Sequence, residues 1–170
     1  MITFLDTETR ASLDLKKVGA HRYVQCPDFR VLMLQYAIDD GPVHVLTDPD
    51  EILHASDVLV ASSDQIVAHN AAFDRLVLGT LLERDLAPEQ WRDTRVIAAE
   101  HGYPGKLEDL ALALGVTPKD TAGTRLINLF SKPKRGGGFN SPEDRPADWQ
   151  QFVDYGKNDV VTLREVFYKL

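Results

Sequence analysis

The chain has 170 residues, of which 44% are hydrophobic and 26% are charged, and its formal net charge at pH 7 is −7. This size predicts one domain with a full core, spanning residues 1–170, and leaves too little chain for two domains of ordinary size. The acidic charge argues against a broad face that grips duplex DNA, although a small acidic cleft could still hold a strand end with the help of metal ions.

Other bulk features exclude further classes of protein. No apolar run reaches the length of a membrane-spanning helix, and acids interrupt the start of the chain, which excludes a signal peptide. Cys26 is the single cysteine, so an internal disulfide framework is excluded and a reducing compartment is favoured. The sequence therefore predicts a cytoplasmic protein with no membrane partner.

The first half of the chain is rich in strand patterns. Short apolar runs bounded by turn residues predict strands over 2–6, 31–38, 43–46 and 65–70. Tight turns between the first three predict an antiparallel start to the sheet. A helix is expected over 50–56 and beyond, with Asp48 or Asp50 near its cap.

The second half is predicted to be mostly helical. Apolar periodicity predicts helices over 71–84, 106–114, around 119–131 and 146–170, with a short strand at 93–97 that runs into a helix near Glu100. Asn70 is a good cap for the first of these helices. The Gly-, Pro- and charge-rich segment 132–146 is predicted to be a loop. Early strands and late helices indicate an α/β fold with a mixed sheet.

Four acidic residues stand where isolated carboxylates are unfavourable. Asp6 and Glu8 end the first strand and point to the same face, where like charges repel. Asp74 lies in the first turn of a helix, and Asp159 follows Tyr155 by four residues, so those two share a helix face. Taken singly, these acids have ordinary explanations. Asp6 and Glu8 could be a solvated strand end, Asp74 a partner of the helix dipole, and Asp159 an exposed residue on the helix surface. Together they predict a divalent metal site, because hard cations bind carboxylate oxygens.

A glycine in the last predicted helix gives one more indication. Gly156, between Tyr155 and Asp159, costs about 1 kcal/mol relative to alanine in a helix interior. This predicts that another part of the molecule approaches the helix closely at that point.

These acids lie in three motifs that resemble a known family. Asp-Thr-Glu at 6–8, Asn-Ala-Ala-Phe-Asp at 70–74 and Tyr-Gly-Lys-Asn-Asp at 155–159 are similar to the three motifs of the DEDD superfamily of 3′–5′ exonucleases. Tyrosine four residues before the last aspartate resembles the DEDDy branch, typical of DNA polymerase proofreading domains. The DEDDh branch has histidine five residues before that aspartate, where this chain has Asp154.

A second resemblance lies outside the motifs. Residues 13–37 and 126–135 look like N-terminal regions of bacteriophage family A (polymerase I-like) DNA polymerases. The resemblance implies a ribonuclease H-like fold, with a central mixed five-stranded sheet flanked by helices. It also implies either an excised proofreading domain, with a polymerase domain or subunit as partner, or a free-standing exonuclease in a bacterial or phage-infected cytosol.

The resemblance implies a reaction and a set of residues for it. The terminal phosphodiester of single-stranded DNA would be hydrolysed at its 3′ end, releasing nucleoside 5′-monophosphates, with two divalent metal ions (Mg²⁺ or Mn²⁺) as cofactors. The implied catalytic residues are Asp6, Glu8, Asp74, Tyr155 and Asp159, and the four acids among them would bind metal. Tyr155 would orient the attacking water, because a phenol with a pKa near 10 is a poor base at neutral pH.

The implied contacts to the DNA strand have structural alternatives. Thr7 would offer its backbone N–H to the terminal nucleotide, or be a plain strand residue, and Asn70 would contact the strand end, cap its helix, or do both. Phe73 and Leu13 could stack on or wedge between bases, or belong to the core. His69 is expected to be a packed or capping residue rather than a ligand.

Three alternatives concern the function and the basic loop. An exoribonuclease of the same superfamily would carry the same acids, and a non-catalytic nucleic-acid-binding module is disfavoured because all four acids are present. Lys132, Lys134 and Arg135 could follow phosphates, although a solvated flexible loop is the favoured interpretation.

Overall fold

A five-stranded mixed sheet forms the centre of the computed structural model, which describes residues 1–116 and 123–170. Its strands are β1 (Ile2–Arg10), β2 (Arg30–Ile38), β3 (His44–Leu46), β4 (Gln65–Ala68) and β5 (Trp91–Asp93). The spatial order is β3-β2-β1-β4-β5. β1 and β2 are antiparallel, as are β2 and β3, whereas β4 is parallel to β1 and β5 is parallel to β4. The predicted mixed sheet with an antiparallel start is confirmed.

Helices flank this sheet. They are α1 (Leu15–Val18), α2 (Ala20–Val24), α3 (Pro49–Ser62), α4 (Ala71–Leu81), α5 (Thr94–Glu100), α6 (Leu107–Ala113), α7 (Gly123–Phe130) and α8 (Pro146–Lys169). The predicted helix around 119–131 falls partly on 117–122, which lie outside the described residues. In the part of the chain that is described, no helix is both long and apolar enough to cross a membrane.

Two strands differ from the prediction at their ends. β1 continues to Arg10 because its second half pairs with β2, with a bulge between Glu8 and Thr9. The strand predicted at 93–97 is wrong beyond its first residue: β5 spans Trp91–Asp93, and 94–97 belong to α5, which begins where the Asp93 side chain accepts a hydrogen bond from the Arg95 N–H. Both boundaries depend on partners that the local apolar pattern does not show.

The helix predictions were correct in position, but two short helices were missed. Asp48 caps α3, and Pro146 lies in the first turn of α8, as predicted. The helices α1 and α2 are separated by Gly19, whose φ of 78° breaks the segment into two pieces too short to show a periodic pattern.

The two faces of β1 are covered by different helices. Phe4 packs in one cluster with Val160 of α8. The next residue, Leu5, packs in another cluster with Ile52 of α3 and Leu78 of α4. Because strand side chains alternate, the even-numbered residues of β1 before its bulge face α8 and the odd-numbered ones face α4.

Candidate functional site

Three carboxylates meet between β1 and α8. Asp6 and Glu8 project from β1 on the face that α8 covers, and Asp159 projects from α8. One carboxylate oxygen from each lies within 4.8 Å of the others, and in the described residues no other group of three or more His, Cys, Asp or Glu has this spacing. Glu8 and Asp159 are buried, whereas Asp6 is half-buried. The structure therefore brings together three of the four predicted acids.

Tyr155 completes the α8 side of this cluster. Its side chain is buried and lies in a cluster with Met33 of β2 and Phe152 of α8. Burial raises the pKa of the Tyr155 phenol far above its usual range, and the charges of Asp159 and Glu8 add to the effect. The phenol is therefore protonated at neutral pH in the metal-free protein.

Asp74, the fourth acid, is not one of the three clustered carboxylates and lies beside Thr7 of β1. The Thr7 backbone N–H and hydroxyl both donate to Asp74 Oδ1, at 3.1 and 2.7 Å. The Thr7 amide, predicted to contact the terminal nucleotide, donates to Asp74 in this structure. The amide is available to α4 because β4 pairs with β1 only as far as Phe4. Thr7 thus fixes Asp74 beside the strand that carries Asp6 and Glu8.

Asp74 has a strongly shifted acidity. Burial raises its pKa from 3.8 to about 7, against the opposing effect of the Thr7 hydrogen bonds. A carboxyl that is only 3% exposed has little contact with water, so its charged form lacks the hydration that would stabilise it in solution. In the metal-free protein, Asp74 therefore releases its proton near neutral pH.

Asp74→Asn is expected to stabilise the metal-free protein at pH 8 and to change its stability little at pH 4. A raised pKa in the folded state contributes stability below pH 4, and this contribution is lost as the pH rises towards 7. Asparagine keeps an oxygen acceptor for Thr7 and does not ionise. Melting temperatures measured in EDTA at both pH values test this, with exposed Asp154→Asn as the control. A change that is equal at both pH values would contradict the raised pKa.

Asn70 occupies the N-cap position of α4 without capping it. Its φ is 74°, in the left-handed region, and its side chain makes no capping hydrogen bond. Asp93 Oδ1 accepts from the Asn70 N–H at 2.9 Å, while Arg95 Nη1 donates to Asn70 Oδ1 at 3.3 Å. The predicted side-chain cap is therefore wrong, because Asp93 and Arg95 hold Asn70 in a different conformation.

His69 links the sheet to the segment before α6. Its Nε2 donates to the Gly105 carbonyl at 3.0 Å, and its Nδ1 lies 2.8 Å from Thr94 Oγ1. These contacts agree with the prediction of a packed residue rather than a metal ligand.

Leu13 and Phe73 lie together beside α2. Both are half-buried and pack on a cluster that contains Tyr23 and Val77. The ring centroids of Phe73 and Tyr23 are 6.3 Å apart. Each side chain therefore has a core contact and an exposed part, so the structure brings the two predicted base contacts into one partly open patch.

A cleft of about 820 Å³ opens next to Tyr155. Its lining includes the two residues before α4 and side chains from α5, α6 and α7, among them His69, Asn70, Arg95, Lys106 and Ile127. The sequence analysis missed Arg95 and Lys106, because single basic residues at the starts of short helices give no recognisable pattern. The lining also contains Glu108 and Asp109, so the cleft carries charges of both signs.

The basic loop is attached to the body of the protein at two points. The Arg10 guanidinium lies 4.7 Å from the Phe139 ring centroid, and Asn140 Nδ2 donates to the Leu129 carbonyl at 2.7 Å. Lys132, Lys134 and Arg135 are exposed. The predicted loop is confirmed, and it is anchored at its centre.

The donor set fits a divalent cation. Oxygens bound at about 2.0–2.6 Å to one cation lie at most about 4–5 Å apart, which agrees with the observed spacing. Two like charges at this distance repel by about 3 kcal/mol at an effective dielectric constant of about 20. A bound cation would relieve this repulsion.

Solved structures share the fold of this chain. The structure of a nuclease in its apo form matches with a TM-score of 0.58 and 16% identity, over 99% of this chain and 70% of that chain. Brucella melitensis NrnC with bound Mg²⁺ matches with a TM-score of 0.60 and 15% identity, over 98% of this chain and 70% of that one. The chain therefore has the ribonuclease H-like fold that was predicted.

A sequence relative gives the more particular relationship. The chain is 39% identical over 172 aligned positions, covering 95% of its length, to the DNA polymerase of Bacillus phage SP02. It spans 26% of the length of that polymerase. No protein-family model matches the chain. The chain is thus homologous to one part of a phage DNA polymerase, which confirms the resemblance to such polymerases.

Proposed function

We propose that the chain is a metal-dependent 3′–5′ exonuclease that removes nucleotides from the 3′ end of single-stranded DNA. The observation that carries this proposal is the cluster of Asp6, Glu8 and Asp159, within 4.8 Å of one another on a rigid strand and a long helix. The nuclease fold and the similarity to a DNA polymerase support it.

The acids would divide the binding of two divalent ions. Asp6, Glu8 and Asp159 would hold one, and Asp6 with Asp74 would hold the second. When bound, such ions supply Lewis-acid chemistry that promotes deprotonation of water and neutralises charge developing on a phosphate. Thr7 keeps the Asp74 carboxylate in place through its two hydrogen bonds. Asp6, the half-buried member, would be open to the substrate.

Tyr155 would position the attacking water. Its hydroxyl lies near the charges of Asp159 and Glu8, where it would form a hydrogen bond with a water molecule at the cluster. A neutral phenol does not take up the proton of the water, which would pass to bulk solvent. The role of Tyr155 is one of orientation.

The substrate would enter through the cleft beside Tyr155. Arg95 and Lys106 would contact the phosphate backbone, and Tyr155 lines the cleft at the end nearest the acidic cluster. Leu13 and Phe73, on the α4 side, would contact the terminal bases, since base stacking tolerates any sequence. Such contacts need unpaired bases, which favours a single strand.

Tyr155→Phe is expected to lower kcat by about 10- to 100-fold, with much less effect on binding of divalent metal. Phenylalanine keeps the ring in its buried cluster and removes only the hydroxyl group. Single-turnover cleavage and calorimetric titration with Mn²⁺ would measure the two effects separately. Equal losses of cleavage and of metal affinity would instead make Tyr155 a residue that supports the metal site.

The direct test is cleavage of labelled single strands. A 5′-labelled DNA oligonucleotide in Mg²⁺ or Mn²⁺ should shorten one nucleotide at a time, with release of nucleoside 5′-monophosphates. A matched RNA strand should be degraded more slowly, whereas faster degradation of RNA would favour the exoribonuclease alternative. No shortening of either strand in either metal would contradict the proposal.

The sequence relative indicates when such an exonuclease would act. Because the homologous polymerase is a longer protein of which this chain matches one part, we propose that the exonuclease removes misincorporated nucleotides from a growing 3′ end. A mismatched end frays more readily than a paired one, which delivers a single strand to the cleft. DNA with a 3′-terminal mismatch should therefore be shortened faster than a fully paired duplex.

A further inference from the structure

A buried glutamine lies between the two elements that carry the acidic cluster. Gln35 of β2 is 0% exposed, and neither its Nε2 nor its Oε1 has a hydrogen-bond partner among the described residues. A carboxamide offers two donor hydrogens and an oxygen acceptor. Burying a carboxamide whose donors and acceptor form no hydrogen bonds is unfavourable, so a glutamine at this position needs an explanation.

The register of the sheet places Gln35 directly beside Asp6. The two residues are opposite each other in the antiparallel β1–β2 pair, so both side chains point towards α8. Cβ atoms of such pairs are about 4.5–5.5 Å apart, which puts a carboxylate within reach of a glutamine amide. Gln35 thus lies on the face of the sheet that carries the cluster.

Helix α8 packs closely against the Gln35 amide at Gly156. A Cβ added to Gly156 would lie 2.1 Å from Gln35 Nε2. The close approach predicted at Gly156 is confirmed, and the approaching group is this amide. Gly156 is three residues before Asp159, so both face the same side of α8. The amide therefore sits between the strand that carries Asp6 and the helix turn that leads to Asp159.

We propose that Gln35 is a positioning residue of the metal site, whose amide N–H donates to the Asp6 carboxylate when that carboxylate binds a cation. This inference rests on the proposed function, because it assigns a supporting group to the same site. A carboxylate that binds a cation is itself oriented by hydrogen bonds, and removing such partners lowers metal affinity about 10- to 100-fold. The amide is unsatisfied without the cation and satisfied with it.

Gln35→Met tests this inference because methionine has similar length and no amide. In EDTA the variant should melt at a higher temperature than the wild type, since no unsatisfied amide remains buried. Its affinity for Mn²⁺, measured by isothermal titration calorimetry, should fall at least tenfold. Ser56→Ala is the matched control: Ser56 is buried with an unpartnered hydroxyl but lies in α3, away from the cluster. It should leave Mn²⁺ affinity unchanged.

Gly156→Ala provides a second variant if Gln35→Met fails to fold. The new Cβ would displace the amide while leaving the glutamine in place, so Mn²⁺ affinity should fall as in Gln35→Met. The clash between the new Cβ and the amide should also lower the melting temperature of Gly156→Ala. Adding Gln35→Ala removes the clashing amide, so the double variant should recover the melting temperature but not the Mn²⁺ affinity. If both Gln35→Met and Gly156→Ala left the Mn²⁺ affinity unchanged, the role of Gln35 would be overturned, but the proposed function would not. A wild-type protein that binds no Mn²⁺ would overturn the proposed function as well.

Discussion

Asp6→Ala is expected to lower exonuclease activity by at least about a thousandfold while leaving the fold intact. Asp6 is the half-buried member of the cluster and the residue that the proposal places between both ions. The metal-free variant should melt at a higher temperature than the wild type, because one of three mutually repelling carboxylates is gone. Single-turnover cleavage of a labelled strand and thermal melting in EDTA would measure both effects.

A matched control separates the loss of this acid from the loss of any acid. Asp154 is exposed on α8, next to Tyr155, and accepts a hydrogen bond from Gln150. Asp154→Ala removes the same charge near the site and should retain nearly full activity. If Asp6→Ala retained more than a few per cent of wild-type activity, Asp6 would not belong to the catalytic site.

Divalent metal is expected to raise the melting temperature of the wild-type protein substantially. A ligand that binds only the folded state at 100 times its dissociation constant adds about 2.7 kcal/mol, or roughly 5–10 °C for a chain of this size. Relief of repulsion among Asp6, Glu8 and Asp159 is the physical source. EDTA should reverse the shift and abolish cleavage.

Ionic strength must be matched in this experiment. NaCl at the same ionic strength should produce a much smaller shift, since screening acts weakly on buried groups. Asp6→Ala should lose most of the metal-induced shift. An equal shift in wild type and Asp6→Ala would place the metal elsewhere on this acidic protein.

Local patterns in the sequence determined much of the site. The period of two in a strand places Asp6 and Glu8 on one face, and the helical period places Tyr155 and Asp159 on another. Both inferences need only neighbouring residues, and the structure agrees with both. The cost of glycine in a helix likewise predicted the close approach at Gly156.

Tertiary structure decided how the acids are held. Thr7 and Asp74 are 67 residues apart, and their hydrogen bonds exist because β4 pairs with β1 only over its first half, leaving the later amides to α4. Asn70 would be an ordinary cap on local grounds, but Asp93 and Arg95, from the next strand and helix, hold it in a left-handed conformation.

The same distinction applies to Gln35. In the sequence it is one polar residue in an apolar run, typical of a strand with one face partly exposed. Only the pairing of Asp6 with Gln35 and the position of α8 against the sheet turn it into a buried amide beside the acids. The sequence by itself therefore determined which acids share a face, because side-chain periodicity is local. Strand register and helix placement decided which groups support those acids, because both arise from contacts between distant parts of the chain.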